Sequence, residues 1–350
     1  MLEGRRAYEI CWLVAILALL NSAPAAAQVR YAIVHLGMVE PQSGMVRGLN
    51  DANELVGGSI GSGRGKRAFV VLPTTGRAES IAGLPGTDSS VAHGINDNSV
   101  VVGSSNTANS IRAFIWTGTS GVRDLGTLPG DNSSQAFGIN RQNEIVGYSS
   151  GPSGMEAVLW TPDGGIQRLG RVRAADLSRA LAINVSGDVV GASGSAGVDR
   201  AFLWDRNRGM QDLGVLPGDT ESVGTGINSS GRVVGHSTGP GGVRAFLWER
   251  NRGMQDLGRL PNAKFSRALG VNDPGDVVGT SDSPSGSRAT LWSRGGSIED
   301  LNTLIPAGSG FVLTHATAIN NRGTILAIGH DDSAHGHDQE VPVRVFLLVP

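Results

Sequence analysis

One unit recurs at a near-constant beat along the chain, and this repeat constrains the fold more than any other feature. Its clearest element reads small residue, variable residue, Gly or Ala, aliphatic residue, Asn, a short polar turn, two aliphatics, Gly. Copies begin at Val46, Ala92, Ala136, Ala180, Gly224, Ala268 and Ala316. Their asparagines are Asn50, Asn96, Asn140, Asn184, Asn228, Asn272 and Asn320, spaced 46, 44, 44, 44, 44 and 48 residues apart. A solitary globular core does not need such a metronome. A ring or stack of identical supersecondary units does.

Two further elements keep the same beat. Arg-Ala-Phe-x-Trp or a relative ends at Trp116, Trp160, Trp204, Trp248 and Trp292, each 44 residues from the next. The outer copies place Val71 and Leu348 there. Asp-Leu-Gly or a relative follows at Val122, Met210, Met254 and Ile298, and Ile33-Val34-His35-Leu36-Gly37 is a further copy near the N-terminus. Each unit thus holds four short runs rich in Val, Ile, Leu, Phe or Trp, bounded by Gly, Asn, Asp, Ser or Pro, which is the signature of strands. None has the length or the 3.6-residue period of a helix.

Four strands per unit match a β-propeller blade. Short links join the first three strand pairs, so these are antiparallel neighbours, and the longest regular link, as from Gly214 to Val223, crosses between blades. The sequence therefore predicts an all-β, seven-bladed propeller of four-stranded antiparallel blades, the Asn strand innermost and the Asp-Leu-Gly strand outermost. The last unit lacks its outer strand and the first strand lacks a unit. Pairing residues 31–37 with 344–348 closes the ring and removes exposed edges. A β-solenoid is the rival architecture, and it would leave the chain ends far apart.

The turn chemistry is legible. Asn takes the first turn position, where its side chain bonds the following backbone. Gly187, Gly231, Gly275 and Gly323 sit three residues later, where a left-handed backbone is wanted; Asn53 and Asn143 substitute there, and Ser99 breaks the rule.

The Arg-Ala-Phe-Leu-Trp, Asp-Leu-Gly-x-Leu-Pro-Gly and Gly-Ile-Asn-x-x-Gly-x-Val-Val-Gly elements together resemble the HAF family of secreted bacterial repeat proteins. The resemblance covers nearly all of residues 28–350 and implies an extracellular or envelope location. It implies no activity and no catalytic residues.

Residues 1–27 read as a signal peptide. Arg5 and Arg6 precede the apolar run Ile10 to Leu20, too short for a comfortable membrane span, and Ala25-Ala26-Ala27 supplies small residues for cleavage before Gln28. Residues 28–350 then form one repeat domain without a later membrane span, expected to be secreted, periplasmic or envelope-bound, and monomeric. The one cysteine, Cys11, falls in the leader, so thiol catalysis and cysteine-based zinc sites are excluded from the processed chain. A net charge of −2 argues against nucleic acid as a partner.

The periodic Trp residues read as blade-to-blade packing in preference to sugar stacking. The periodic Arg residues should stack on aromatics or pair with nearby Asp. Irregular positions are better candidates for function. The seven histidines, His35, His93, His236, His315, His330, His335 and His337, map near the face that carries the crossover loops. Asp88, His93, Asp131, Asp219 and His236 are candidate ligand-face residues. The loop from His330 to Val343 brings His330, His335, His337 and Asp338 together, and His315 starts a neighbouring strand. The plain reading of that loop is a solvated polar segment; the sharper one is a divalent-metal site, the single cofactor the sequence suggests. No nucleophile elbow, phosphate loop or zinc-protease helix is present in the sequence. The sequence thus points to a non-enzymatic binding or scaffold module for an extracellular glycan or protein. The alternative is an extracellular polysaccharide hydrolase or lyase, metal-assisted or not.

Overall fold

The alternation of short apolar strands with polar turns resolves into seven four-stranded antiparallel sheets. The computed structural model describes residues 29–39, 46–59, 65, 67–73, 77–107, 109–172, 175–195, 197–332 and 343–350. The expected leader lies outside these residues.

Blade 3 shows the pattern: Ser133–Ile139, Ile145–Gly151, Gly154–Trp160 and Ile166–Gly170, in that spatial order. The Asn strand is the inner one, because the Asn strands of successive blades contact one another around the axis. Blade 7 is built from Phe311–Ile319, Ile325–Asp331, Val343–Val349 and, as its outer strand, Ala32–Val39 from the other end of the chain. Ala32 pairs with Val349 and Val39 with Val343. The predicted clasp therefore exists, with Ala32–Val39 in place of residues 31–37 and Val343–Val349 in place of 344–348, and the solenoid alternative falls. In blade 6 a short 3₁₀ turn, Leu301–Thr303, follows the outer strand Ile298–Asp300.

Seven apolar clusters of the described residues fill the seven gaps between blades. Val190, Ala201 and Leu216 of blade 4, for example, meet Ile227, Val233 and Phe246 of blade 5. Val46, Leu55 and Val71 of blade 1 meet Leu326, Val345 and Leu347 of blade 7, so the closing gap is packed like the others. Trp160, Trp204 and Trp292 are buried in these clusters and Trp116 and Trp248 pack against them, which makes the periodic Trp a packing residue. The periodic Arg residues pair with the Asp of Asp-Leu-Gly: Arg112 with Asp124 at 2.9 Å and Arg244 with Asp256 at 3.2 Å.

In blades 2 to 6, two buried serines per blade stitch the gaps. Ser90, Ser134, Ser178, Ser222 and Ser266 each accept the N–H of an Ala in the preceding blade, at 2.9–3.1 Å. Ser105, Ser149, Ser193, Ser237 and Ser281 do the same for the residue that opens the crossover loop, at 3.0–3.2 Å. A hydroxyl is the smallest group that satisfies a buried backbone donor without opening a void.

Every inner strand carries a β-bulge at the variable residue three positions before its Asn, as between Ala136 and Gly138. The glycine of Val-Val-Gly lies across from it. A Cβ on Gly147 would stand 1.9 Å from the Gln135 carbonyl oxygen, and one on Gly191 2.0 Å from that of Arg179. The glycine is thus required by close backbone approach.

Candidate functional site

Strand direction sorts the connections onto two faces. The Asn turns lie on one and the crossover loops on the other, so the axis has two chemically different mouths.

At the Asn face, each Asn side chain does two jobs. In Asn184, Oδ1 accepts the N–H groups of Ser186 and Asp188 at 3.0 and 2.9 Å, which is the expected turn chemistry. Its Nδ2 donates to the carbonyl of Asn228 in the next blade at 3.1 Å. The same donation runs Asn50 to Asn96, Asn96 to Asn140, Asn140 to Asn184, Asn228 to Asn272, Asn272 to Asn320, and Asn320 back to Asn50, at 2.9–3.3 Å. The seven asparagines thus form a closed hydrogen-bonded ring, which the local reading of the turn did not contain. The third residue after each Asn is left-handed throughout. Ser99 also takes this conformation, with φ 59°, and its hydroxyl donates to the Glu54 carboxylate at 2.7 Å. The ring rims a cavity of about 390 Å³ with an aliphatic tier beneath, including Ile95, Ile139 and Ile183, and Asp51, Asp97 and Asp273 above. These carboxylates are engaged: Asp97 accepts the Asp51 N–H at 2.9 Å and Asp273 the Ser229 N–H at 2.8 Å. A second cavity on this face, about 450 Å³, is bounded by Asp188, Asp205, Arg206 and Arg250. Its charges are also used locally, Arg206 on Glu144 and Arg250 on Asp205.

Towards the crossover face the repeat stops repeating. The residue five positions before each Asn faces, across the strand pair, the residue eight after it. The pairs are Val91 with Ser104, Gln135 with Tyr148, Arg179 with Ala192, Val223 with His236, Arg267 with Thr280 and His315 with Ile328. This tier lies roughly 13 Å below the Asn ring, four rises of about 3.3 Å once the bulge residue is discounted. The bulge residues just above it are Arg47, His93, Phe137, Leu181, Thr225, Leu269 and Thr317. Bulges re-aim side chains, and here they do so at the most variable position of the unit.

Two clusters result. In the first, Gln135 donates to His93 Nε2 at 3.0 Å and to the Ser104 hydroxyl at 3.2 Å, while the Tyr148 hydroxyl donates to Gln135 Oε1 at 3.0 Å. The His93 ring packs on Phe137 of the next blade with centroids 5.2 Å apart. Burial, with a smaller contribution from the Arg47 charge, pushes the His93 pKa down to about 3. Since Nε2 accepts, the proton sits on Nδ1, which is buried without a protein partner. In the second cluster, burial and then the charges of Arg267 and Arg179 push His236 down to about 4, against a weaker opposing pull from Asp199. Burial and Arg267 likewise lower His315. Arg179 is paired with Asp199 at 2.6 Å. His236 Nδ1 is also buried without a protein partner.

Of the candidate residues, His93, His236 and His315 therefore gather near the axis from blades 2, 5 and 7. The aspartates do not. Asp131 accepts the Ser149 hydroxyl at 2.6 Å and Asp219 is held by Arg244 at 2.9 Å, so both fasten crossover loops, and Asp88 is exposed in its own loop. His330 donates through Nδ1 to the Asp331 carbonyl at 2.9 Å. His315 hydrogen-bonds Thr314 at 3.0 Å and stands opposite Ile328, two residues before His330. His335, His337 and Asp338 lie outside the described residues. Among the described residues, no three His, Cys, Asp or Glu side chains stand close enough to hold a metal ion. Arg47, Gln135, Tyr148, Arg179 and Arg267 escaped the sequence reading. Their signal was that they occupy positions free to vary inside an otherwise fixed motif.

Fold and site define the class: a seven-bladed β-propeller with an asymmetric axis. Solved structures of this shape include an oligogalacturonate lyase in complex with manganese, with TM-score 0.59 and 10% identity, matching over 91% of this chain and 93% of that one. Virginiamycin B lyase from Staphylococcus aureus gives 0.58 and 12% over 92% and 100%, and a streptogramin B lyase 0.56 and 10% over 93% and 100%. At these identities the likeness is one of fold. No family model and no curated protein matches the sequence. Among the described residues no helix is long and apolar enough to cross a membrane.

Proposed function

We propose that the protein is an exported, non-enzymatic recognition module whose ligand, an extracellular glycan or a protein segment, seats at the crossover-face mouth of the axis. The observation that carries this reading is the departure from the repeat at one level. Arg179, His236, Arg267 and His315, from four consecutive blades, interact with one another where the rest of the unit is monotonous. A propeller needs none of these charges to fold, because its gaps are filled by apolar clusters and serines. Export is supported by the basic start, short apolar run and small residues of positions 1–27 and by the resemblance to the HAF family.

One observation favours a second reading. A neutral imidazole with an unpartnered nitrogen, such as His236, is the form a general base takes, so an extracellular hydrolase or lyase remains the competing class. A glycan array followed by product analysis separates the two. Binding without new products is the expected result; turnover that disappears in His236→Gln would replace the recognition reading with the enzymatic one.

A further inference from the structure

We propose that the mouth where Arg267 stands among His236, His315 and Arg179 binds the carboxylate of a uronic-acid residue in an acidic oligosaccharide. This rests on the reading of that mouth as the ligand site.

The argument begins with charge. Arg179 already has its counter-ion in Asp199, at 2.6 Å. Arg267 is exposed, faces Thr280 across its strand pair, and pairs with no carboxylate of the described residues. Its charge reaches His236 from blade 6 and His315 in blade 7. His236 is faced by Arg267, by Arg179 and by Asp199; Glu221 lies two rungs outward on the strand paired with it. Two imidazoles held neutral beside an unneutralised guanidinium form a group that is one anion short. A carboxylate supplies that anion and matches the guanidinium fork.

The rest of the tier selects the ligand class. Across the axis, Gln135, Tyr148, Ser104 and His93 form a neutral hydrogen-bonding network beside the Phe137 ring. The Arg267 cation opposite this network, whose His93 also feels the Arg47 charge, and opposite an aromatic face suits a sugar, with one carboxylate and many hydroxyls per ring. A polyacidic peptide or nucleic acid would want a run of cations, and the chain carries a net charge of −2.

A consequence follows by linkage. A carboxylate seated beside His236 and His315 raises their proton affinity, so binding takes up protons and tightens as pH falls from 8 to 5, a range in which sugar carboxylates stay ionised. The test is titration calorimetry of the processed full-length protein with an oligouronide and with its carboxyl-reduced, neutral twin, at pH 5 and pH 8. A polyglutamate peptide is the third ligand, and Arg267→Gln and His236→Gln the variants. The expected result is at least a tenfold preference for the oligouronide over both other ligands, lost in Arg267→Gln. The affinity gain from pH 8 to 5 should be reduced in His236→Gln. Because Arg267 is exposed, its variant should melt with the parent, and it decides the matter if His236→Gln does not fold. Equal binding of the neutral twin, or of polyglutamate, overturns the uronate assignment while leaving a recognition role standing. So does unchanged oligouronide affinity in Arg267→Gln. Failure of every glycan and peptide to bind overturns both.

Discussion

Cutting the asparagine ring at Asn184 tests the packing logic most directly. The side chain is buried, and removing it with Asn184→Ala deletes four hydrogen bonds. Two go from the turn N–H groups of Ser186 and Asp188, one to the Asn228 carbonyl, and one to the Asp188 carboxylate at 3.3 Å. Ser186 is exposed, so water replaces its bond. The Asn228 carbonyl keeps the Gly231 N–H at 3.0 Å and is not orphaned. At about 1 kcal/mol net for each bond not replaced, the loss is about 3 kcal/mol. Asn184→Asp keeps the acceptor that shapes the turn but points a carboxylate at the Asn228 carbonyl and at Asp188. That like-charge neighbour raises the pKa of the introduced group in the folded state. Its penalty is therefore absent below the unfolded carboxylate pKa of about 3.9 and grows as pH rises through the folded value. Urea unfolding followed by tryptophan fluorescence gives midpoint and slope, each variant being compared with the parent at the same pH. Val185→Ala, exposed one residue along, is the control and should stay within about 0.5 kcal/mol. If Asn184→Ala matched that control, the ring would be a by-product of turn geometry and no inter-blade fastener.

Three other outcomes are expected. Gly191→Ala places a Cβ 2.0 Å from the Arg179 carbonyl oxygen and should cost about 3 kcal/mol or more, whereas Gly241→Ala, with nothing within 4 Å, should be near neutral in the same unfolding assay; parity between them would discredit the close-approach argument. Val34→Cys with Leu347→Cys, an opposed pair in the clasp, should oxidise readily and stabilise the protein by about 2–4 kcal/mol over its reduced form, as read by non-reducing gels and melting; separate chain ends would leave both thiols free. Because His93 and His236 have folded pKa values lowered to about 3 and about 4, the unfolded chain binds more protons below about pH 6.5. Stability contributed by each neutral imidazole is present above that pH and declines towards pH 4, by about 1.4 kcal/mol per unit and per histidine. His93→Gln should flatten the pH profile of urea midpoints, and an unchanged slope would show that burial does not hold this ring neutral.

Much of the architecture was legible in the residues because it rests on local rules repeated many times. The 44-residue beat set the blade, and Asn followed by a left-handed position set the hairpin. The leftover strands at the two ends announced the clasp, since an unpaired edge is costly wherever the chain provides a partner. The Arg–Asp pairs and buried Trp were also foreseeable, because strand alternation puts them on known faces. The site was only partly legible. His93, His236 and His315 were noticed as irregular, but so were Asp131 and Asp219, which turned out to fasten loops. Sequence spacing alone does not say whether a loop carboxylate meets solvent, Ser149 or Arg244. Neither the asparagine ring nor the Arg267 cluster could be read along the chain, because each joins residues of different blades whose contact depends on how seven sheets close on one axis. Local chemistry fixes what each unit does by itself. Ring closure decides which side chains face each other across the axis, and there the charges that distinguish this propeller meet.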